Sequence, residues 1–165
     1  MAISQIIKTK RDGTLVITDN GASHSLTVQF EDGNLVINIP GPTILLFLDR
    51  GRITAPPSIR YGDDQPMSGS FSGYLRDLSD AGYATLESIL MQAGYILSTW
   101  VGTMGATGEV KTYSLAWTIE GSDHGDGADH TCTLPYCAFS GSVKEGAPGS
   151  VDMSFTSYAL YPTVT

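Results

Sequence analysis

The first third of the chain alternates apolar and polar residues with a period of two. TLVITD (14–19) and SHSLTVQF (23–30) flank Asn20-Gly21, a strong hairpin signal, and Leu26, Val28 and Phe30 alternate with Ser25, Thr27 and Gln29. Asp32-Gly33 turns the chain again, and Leu35, Ile37 and Ile39 share a face until Pro40 and Pro42 end the run. The pattern predicts a three-stranded antiparallel meander. TILLFLDR (43–50) is apolar at consecutive positions, which predicts a strand covered on both faces, central in a sheet or beneath a helix.

After a turn-rich stretch over 49–66, MSGSFSGYLR returns to clean alternation. Met67, Gly69, Phe71, Gly73 and Leu75 lie on one face, and Ser68, Ser70, Ser72, Tyr74 and Arg76 lie on the other. One face reads as core; the other is nearly all hydroxyl. Over 83–94 the period changes to that of a helix: Leu86, Ile89, Leu90 and Ala93 recur at helical spacing, with Thr85 as N-cap and Gly94 as terminator. EVKTYSLAWTIEG then puts Tyr113, Leu115, Trp117 and Ile119 on one face. In the final hairpin Phe139 and Val143 alternate with Ser140, Ser142 and Lys144, and Val151, Met153 and Phe155 alternate with Asp152, Ser154 and Thr156. About eight strands and one helix predict a mainly β fold, a two-sheet β-sandwich or barrel with one flanking α-helix. No repeat or internal boundary divides residues 1–165, so one domain is expected, with residues 1–12 as an N-terminal arm.

Charge narrows the function classes. The net charge is −8; residues 1–76 balance seven cations against seven acids, and the excess falls on residues 77–165, where Lys111 and Lys144 face ten acids. Gripping a nucleic acid draws on clustered lysine and arginine, which this chain does not have. The longest apolar run, ILLFL, is too short to span a bilayer, so no membrane association is expected. MAISQIIKTKRDG does not read as a secretory signal, which leaves a cytoplasmic origin as the expectation.

EGSDHGDGADHTCTLPYC (120–137) is the densest collection of ligand-type side chains. Its spacing, His-x5-His-x-Cys-x4-Cys, lacks the Cys-x2-Cys knuckle and the His-x3-5-His pair of zinc sites, and it ends without the glutamate of a calcium loop. Residues 120–131 therefore read as an acidic connecting loop with no metal and no cofactor. Cys132 and Cys137 would point to opposite faces of a regular strand about 16 Å apart, too far for a disulfide unless Pro135 bulges the strand, so free thiols are expected. His24, His124 and His130 have no nucleophile or base motif around them, and no phosphate loop, dinucleotide fingerprint or Gly-x-Ser-x-Gly elbow occurs. No catalytic residue is expected, and the chain does not read as an enzyme.

LLFLDRGRITAPPSIRYGDDQPMSGSFSGYLRD followed by ATLESIL, and the terminal CAFSGSVKEGAPGSVDMSFTSY, resemble the tail tube proteins (major tail proteins) of long-tailed bacteriophages over residues 35–160. The likeness rests on the order of elements and their pattern. It implies a small β-sandwich with a flanking helix, similar also to the inner tube of type VI secretion systems. Six copies would form a ring, and stacked rings a hollow tube through which the genome leaves the virion. It also implies a tape measure, a tail terminator and distal tail or baseplate proteins as partners, transient non-specific contact with duplex DNA, and a place in a virion tail assembled in the bacterial cytoplasm.

A channel that lets DNA slide should present small polar or acidic groups and avoid lysine and arginine. Ser68, Ser70, Ser72, Ser140, Ser142, Asp152, Ser154 and Thr156 meet that requirement and are expected to face the channel, with Lys144 and Arg76 near a rim and paired to acids. The 49–66 loop exceeds the usual connection of about 4–6 residues and is expected to serve assembly. Arg50, Arg52 and Arg60, with Asp63 and Asp64, are its candidate inter-subunit residues. The alternative is a non-catalytic ligand- or carbohydrate-binding sandwich, which would need solvent-facing aromatic rings; Trp100 and Trp117 both read as buried.

Overall fold

The computed structural model describes residues 13–29, 34–47, 58–76, 82–102, 110–119 and 127–165. Ten strands run in the order β1 (Gly13–Thr18), β2 (Ser25–Val28), β3 (Val36–Asn38), β4 (Ile44–Phe47), β5 (Ser58–Tyr61), β6 (Met67–Tyr74), β7 (Tyr113–Ile119), β8 (His130–Lys144), β9 (Ser150–Ser157) and β10 (Thr163–Val164). Two helices, α1 (Leu86–Met91) and α2 (Gly94–Thr99), lie between β6 and β7. The main sheet is antiparallel in the order β2-β1-β7-β8-β9-β6-β3, with β10 added to β8; β4 and β5 form a separate small sheet. This is the mainly β architecture with a helical flank that the alternation predicts.

In the main sheet the register gathers the large apolar side chains of β1, β6, β7 and β9 on one face. β9 places Val151, Met153 and Phe155 inward, β6 adds Met67 and Phe71, β7 adds Tyr113 and Leu115, and β1 adds Leu15 and Ile17. Each of these side chains is 2% exposed or less, a burial that contributes roughly 1.5–3 kcal/mol for a large apolar group. Phe71, Phe155, Phe139, Tyr113 and Trp100 form a continuous aromatic path through this core, with centroids 5.6–6.4 Å apart. The sheet also curls: the Tyr74 amide at the end of β6 donates to the Gln29 carbonyl just beyond β2, 3.2 Å away, although the two strands are far apart in sheet order.

α1 packs on β8 and β9. Thr85 caps it as the sequence predicts, its hydroxyl accepting from the Ser88 amide while Ser88 Oγ accepts from the Thr85 amide. The helical segment does not run unbroken from 83 to 94. Gln92 takes a left-handed conformation (φ 51°), its side chain donates back to the Ile89 carbonyl at 2.7 Å, and Gly94 at φ 60° opens a second short helix where termination was expected.

Candidate functional site

Antiparallel pairing fixes which side chains stand side by side, and here it gathers the eight hydroxyl and acidic positions of β6, β9 and β8. Ser68 pairs with Thr156, which pairs with Ala138; Ser70 pairs with Ser154, which pairs with Ser140; Ser72 pairs with Asp152, which pairs with Ser142. The result is three rows on the face opposite the core. The end row is wired together: Ser72 Oγ donates to Asp152 Oδ1 at 2.7 Å, and Lys144 forms an ion pair with Asp152 Oδ2. Lys144 and then Ser72 hold the Asp152 carboxyl below the usual carboxylate range.

The same face continues beyond the residues singled out from sequence. Thr14 stands beside Thr118, which stands beside Thr131; Val16 beside Ala116, beside Thr133; and Thr18 beside Ser114. Thr118 and Thr131 share a hydroxyl–hydroxyl bond of 2.9 Å. The polar half of β7's alternation carried part of this signal, but its continuity into β8 depends on a bulge. Cys137 pairs with Tyr113 while Leu134 pairs with Leu115, so Pro135 and Tyr136 hold one extra residue, with Tyr136 at φ 55°. The bulge resets the phase of β8 and keeps Thr131, Thr133, Ser140 and Ser142 on one side.

That bulge corrects the expectation for the cysteines. Cys132 pairs with Trp117 and Cys137 with Tyr113, so both face the core side of the sheet, and both are free. Burial pushes the Cys137 thiol up to about 12, and its Sγ lies 3.3 Å from the Leu134 carbonyl. Such a thiol is a packing group, not a nucleophile.

The small sheet overturns a second expectation. Among the described residues β4 does not lie at the centre of a sheet or beneath a helix: it pairs only with β5, and Ile44, Leu45, Leu46, Phe47, Ile59 and Tyr61 are all exposed, Tyr61 to 82%. Consecutive apolar residues do demand cover on both faces, but among the described residues that cover is not supplied by the chain itself. Arg60 lies over the Phe47 ring, 5.8 Å from its centroid, within its own hairpin. Asp63 and Asp64 are exposed just beyond β5, where the Asp63 carbonyl accepts from the Thr43 amide at 2.9 Å and closes the hairpin's base. Arg50 and Arg52 lie outside the described residues.

Among the described residues, sheet edges also lack a partner. Ala138–Lys144 pairs with β9 on one side and with no described strand on the other, and β2 pairs only with β1. Residues 120–126 of the acidic loop lie outside the described residues; among the described ones, no group of three His, Cys, Asp or Glu side chains is placed to hold a metal. No described helix is long and apolar enough to cross a membrane.

No protein-family model and no curated protein sequence matches the chain. Solved structures do. A chain of the sheath/tube terminator of PVC, an extracellular contractile injection system, in its extended state superposes with a TM-score of 0.60 at 10% identity, covering 99% of both chains. A chain of the anti-feeding prophage tube-terminating cap gives 0.58 at 11% identity, covering 100% of this chain and 94% of that one. A chain of the PVC sheath-tube complex gives 0.58 at 6% identity, covering 98% and 93%. At these identities the likeness is one of fold: the chain shares the fold of these contractile-injection-system and anti-feeding-prophage proteins.

Proposed function

We propose that this protein is a non-enzymatic structural subunit of a phage-tail-like tube, six copies closing into a ring and rings stacking into a hollow conduit. The observation that carries the reading is the alignment of Ser68, Ser70, Ser72, Ser140, Ser142, Asp152, Ser154 and Thr156 on one face. Lys144, the one described cation among these rows, is neutralised by Asp152. A surface of this kind is wetted by short hydroxyls and offers a polyanion no counterion-releasing cation, which suits a channel lining. The open edge of Ala138–Lys144 and that of β2 supply strand pairing around the ring, and pairing is the usual remedy for such edges.

Stacking is assigned to the β4–β5 hairpin. Its apolar residues are covered by neighbouring copies in the assembly, with Arg50, Arg52, Arg60, Asp63 and Asp64 setting register through charge. In this reading the tube stands in a virion or virion-like tail assembled in a bacterial cytoplasm, meets a terminator and a baseplate at its two ends and a tape measure within, and passes duplex DNA. Introducing I44D and I59D together is expected to leave a folded monomer that no longer forms high-mass species in analytical ultracentrifugation. Assembly of this variant at the wild-type concentration dependence would contradict the proposal.

A further inference from the structure

The turn between β1 and β2 closes around a buried carboxylate. Asp19, whose side chain is fully buried, accepts from the amides of Ser23 (2.9 Å), His24 (3.2 Å) and Val101 (3.3 Å), and its Oδ2 lies 3.1 Å from His24 Nδ1. Burial alone would push this carboxyl up, but His24 and the three amides together hold it below the usual range. An ionised carboxylate only accepts, so Nδ1 carries the proton that faces it. In the neutral ring, Nε2 is then a hydrogen-bond acceptor, and it has no partner among the described residues.

His24 is held between rings. It stacks on Trp100 (6.3 Å, 24°) and meets Tyr95 edge-on (6.2 Å, 86°). Ser23, His24, Ser25, Tyr83, Tyr95 and Trp100 line a cavity of about 310 Å³, the lower end of the range of small-molecule sites. None of its described lining residues is Lys, Arg, Asp or Glu, and the Asp19 charge behind His24 is already met by four donors. What its described lining offers is aromatic faces, two serine hydroxyls and an oriented imidazole. The Trp100 indole N–H is buried and has no partner among the described residues.

We propose that this cavity binds a neutral sugar ring, with the C–H face of a pyranose against Tyr83 or Tyr95 and a ring hydroxyl donating to His24 Nε2. Aromatic rings take the apolar face of such a ligand, and the serines and imidazole take its hydroxyls. The site is separate from the hydroxyl face and the hairpin but takes Ser25 from the β2 edge, and the titration below is read on the unassembled chain, so its outcome is distinct from that of the tube reading.

Trp100 and Trp117 are the chain's two tryptophans, so W117F leaves Trp100 as the sole fluorescent indole. Titrating that variant with glucose, galactose and N-acetylglucosamine, beside tetramethylammonium and phosphate, is expected to give a saturable Trp100 response to at least one sugar and none to either ion. Binding should weaken by about tenfold or more in Tyr83→Ala, which removes an exposed ring, and in His24→Gln. Saturation-transfer NMR on the wild-type chain gives the same comparison without W117F. The proposal is overturned by no saturable response to any of the sugars, by a response to tetramethylammonium or phosphate in their place, or by a sugar response that both variants leave unchanged.

Discussion

Gly69 and Gly141 occupy core-side positions where a methyl group has no room. A Cβ at Gly69 would run into the Val36 carbonyl and the Phe155 ring, and one at Gly141 into the Asp152 carbonyl. Backbone cannot yield as a flexible side chain does, so Gly69→Ala is expected to destabilise the fold by about 1–3 kcal/mol, read as a lower urea midpoint at unchanged m-value. Asp19 works by hydrogen bonding. Asp19→Asn turns one acceptor oxygen into a donor facing backbone amides and is expected to cost about 1–3 kcal/mol at neutral pH. The carboxyl's folded-state pKa is depressed, so its contribution is present above the ordinary value of 3.8 and is lost as pH falls through the folded pKa. Urea midpoints of wild type and variant should therefore differ at pH 7 and converge below about pH 4; a constant gap would show that the charge is not what matters.

Elements differ in how far local sequence determines them. β6 and β9 are legible because their alternation is unbroken, and it gives six of the eight strip residues, the second half of β8 giving Ser140 and Ser142 in the same way. β7 gave its core face equally well, but Thr131 and Thr133 could not be joined to Ser140 and Ser142, because one extra residue at Pro135–Tyr136 inverts the phase and no periodicity reports a bulge. β4 was misread for another reason. Apolar residues on both faces state that both faces are covered, and they do not say by what; a neighbouring copy and the chain's own core leave the same signature. The Asp19–His24 pair was missed because a turn aspartate and a strand histidine five residues apart look ordinary until α2 and Trp100 close over them. A consequence at this scale is that I44D and I59D should leave the melting temperature nearly unchanged, since both side chains are exposed.

At the scale of the whole molecule, charge is arranged by face. The chain carries −8 overall, yet the hydroxyl rows are close to neutral, with Asp152 matched by Lys144. If the rows line a conduit, adding cations there should change what passes and not whether the subunit folds. S70K with S154K is expected to preserve melting temperature and assembly while making the assembled form retain duplex DNA at low salt and release it as salt rises. DNA retention indistinguishable from wild type would place the rows on an outer surface. The tube reading itself is tested most directly by negative-stain electron microscopy of the purified protein with its solution mass measured in parallel. Six-fold rings or hollow tubes, at six-subunit masses and multiples of them, are the result expected. A chain that stays monomeric at high concentration, including in the presence of terminator or baseplate proteins from its own particle, would contradict it.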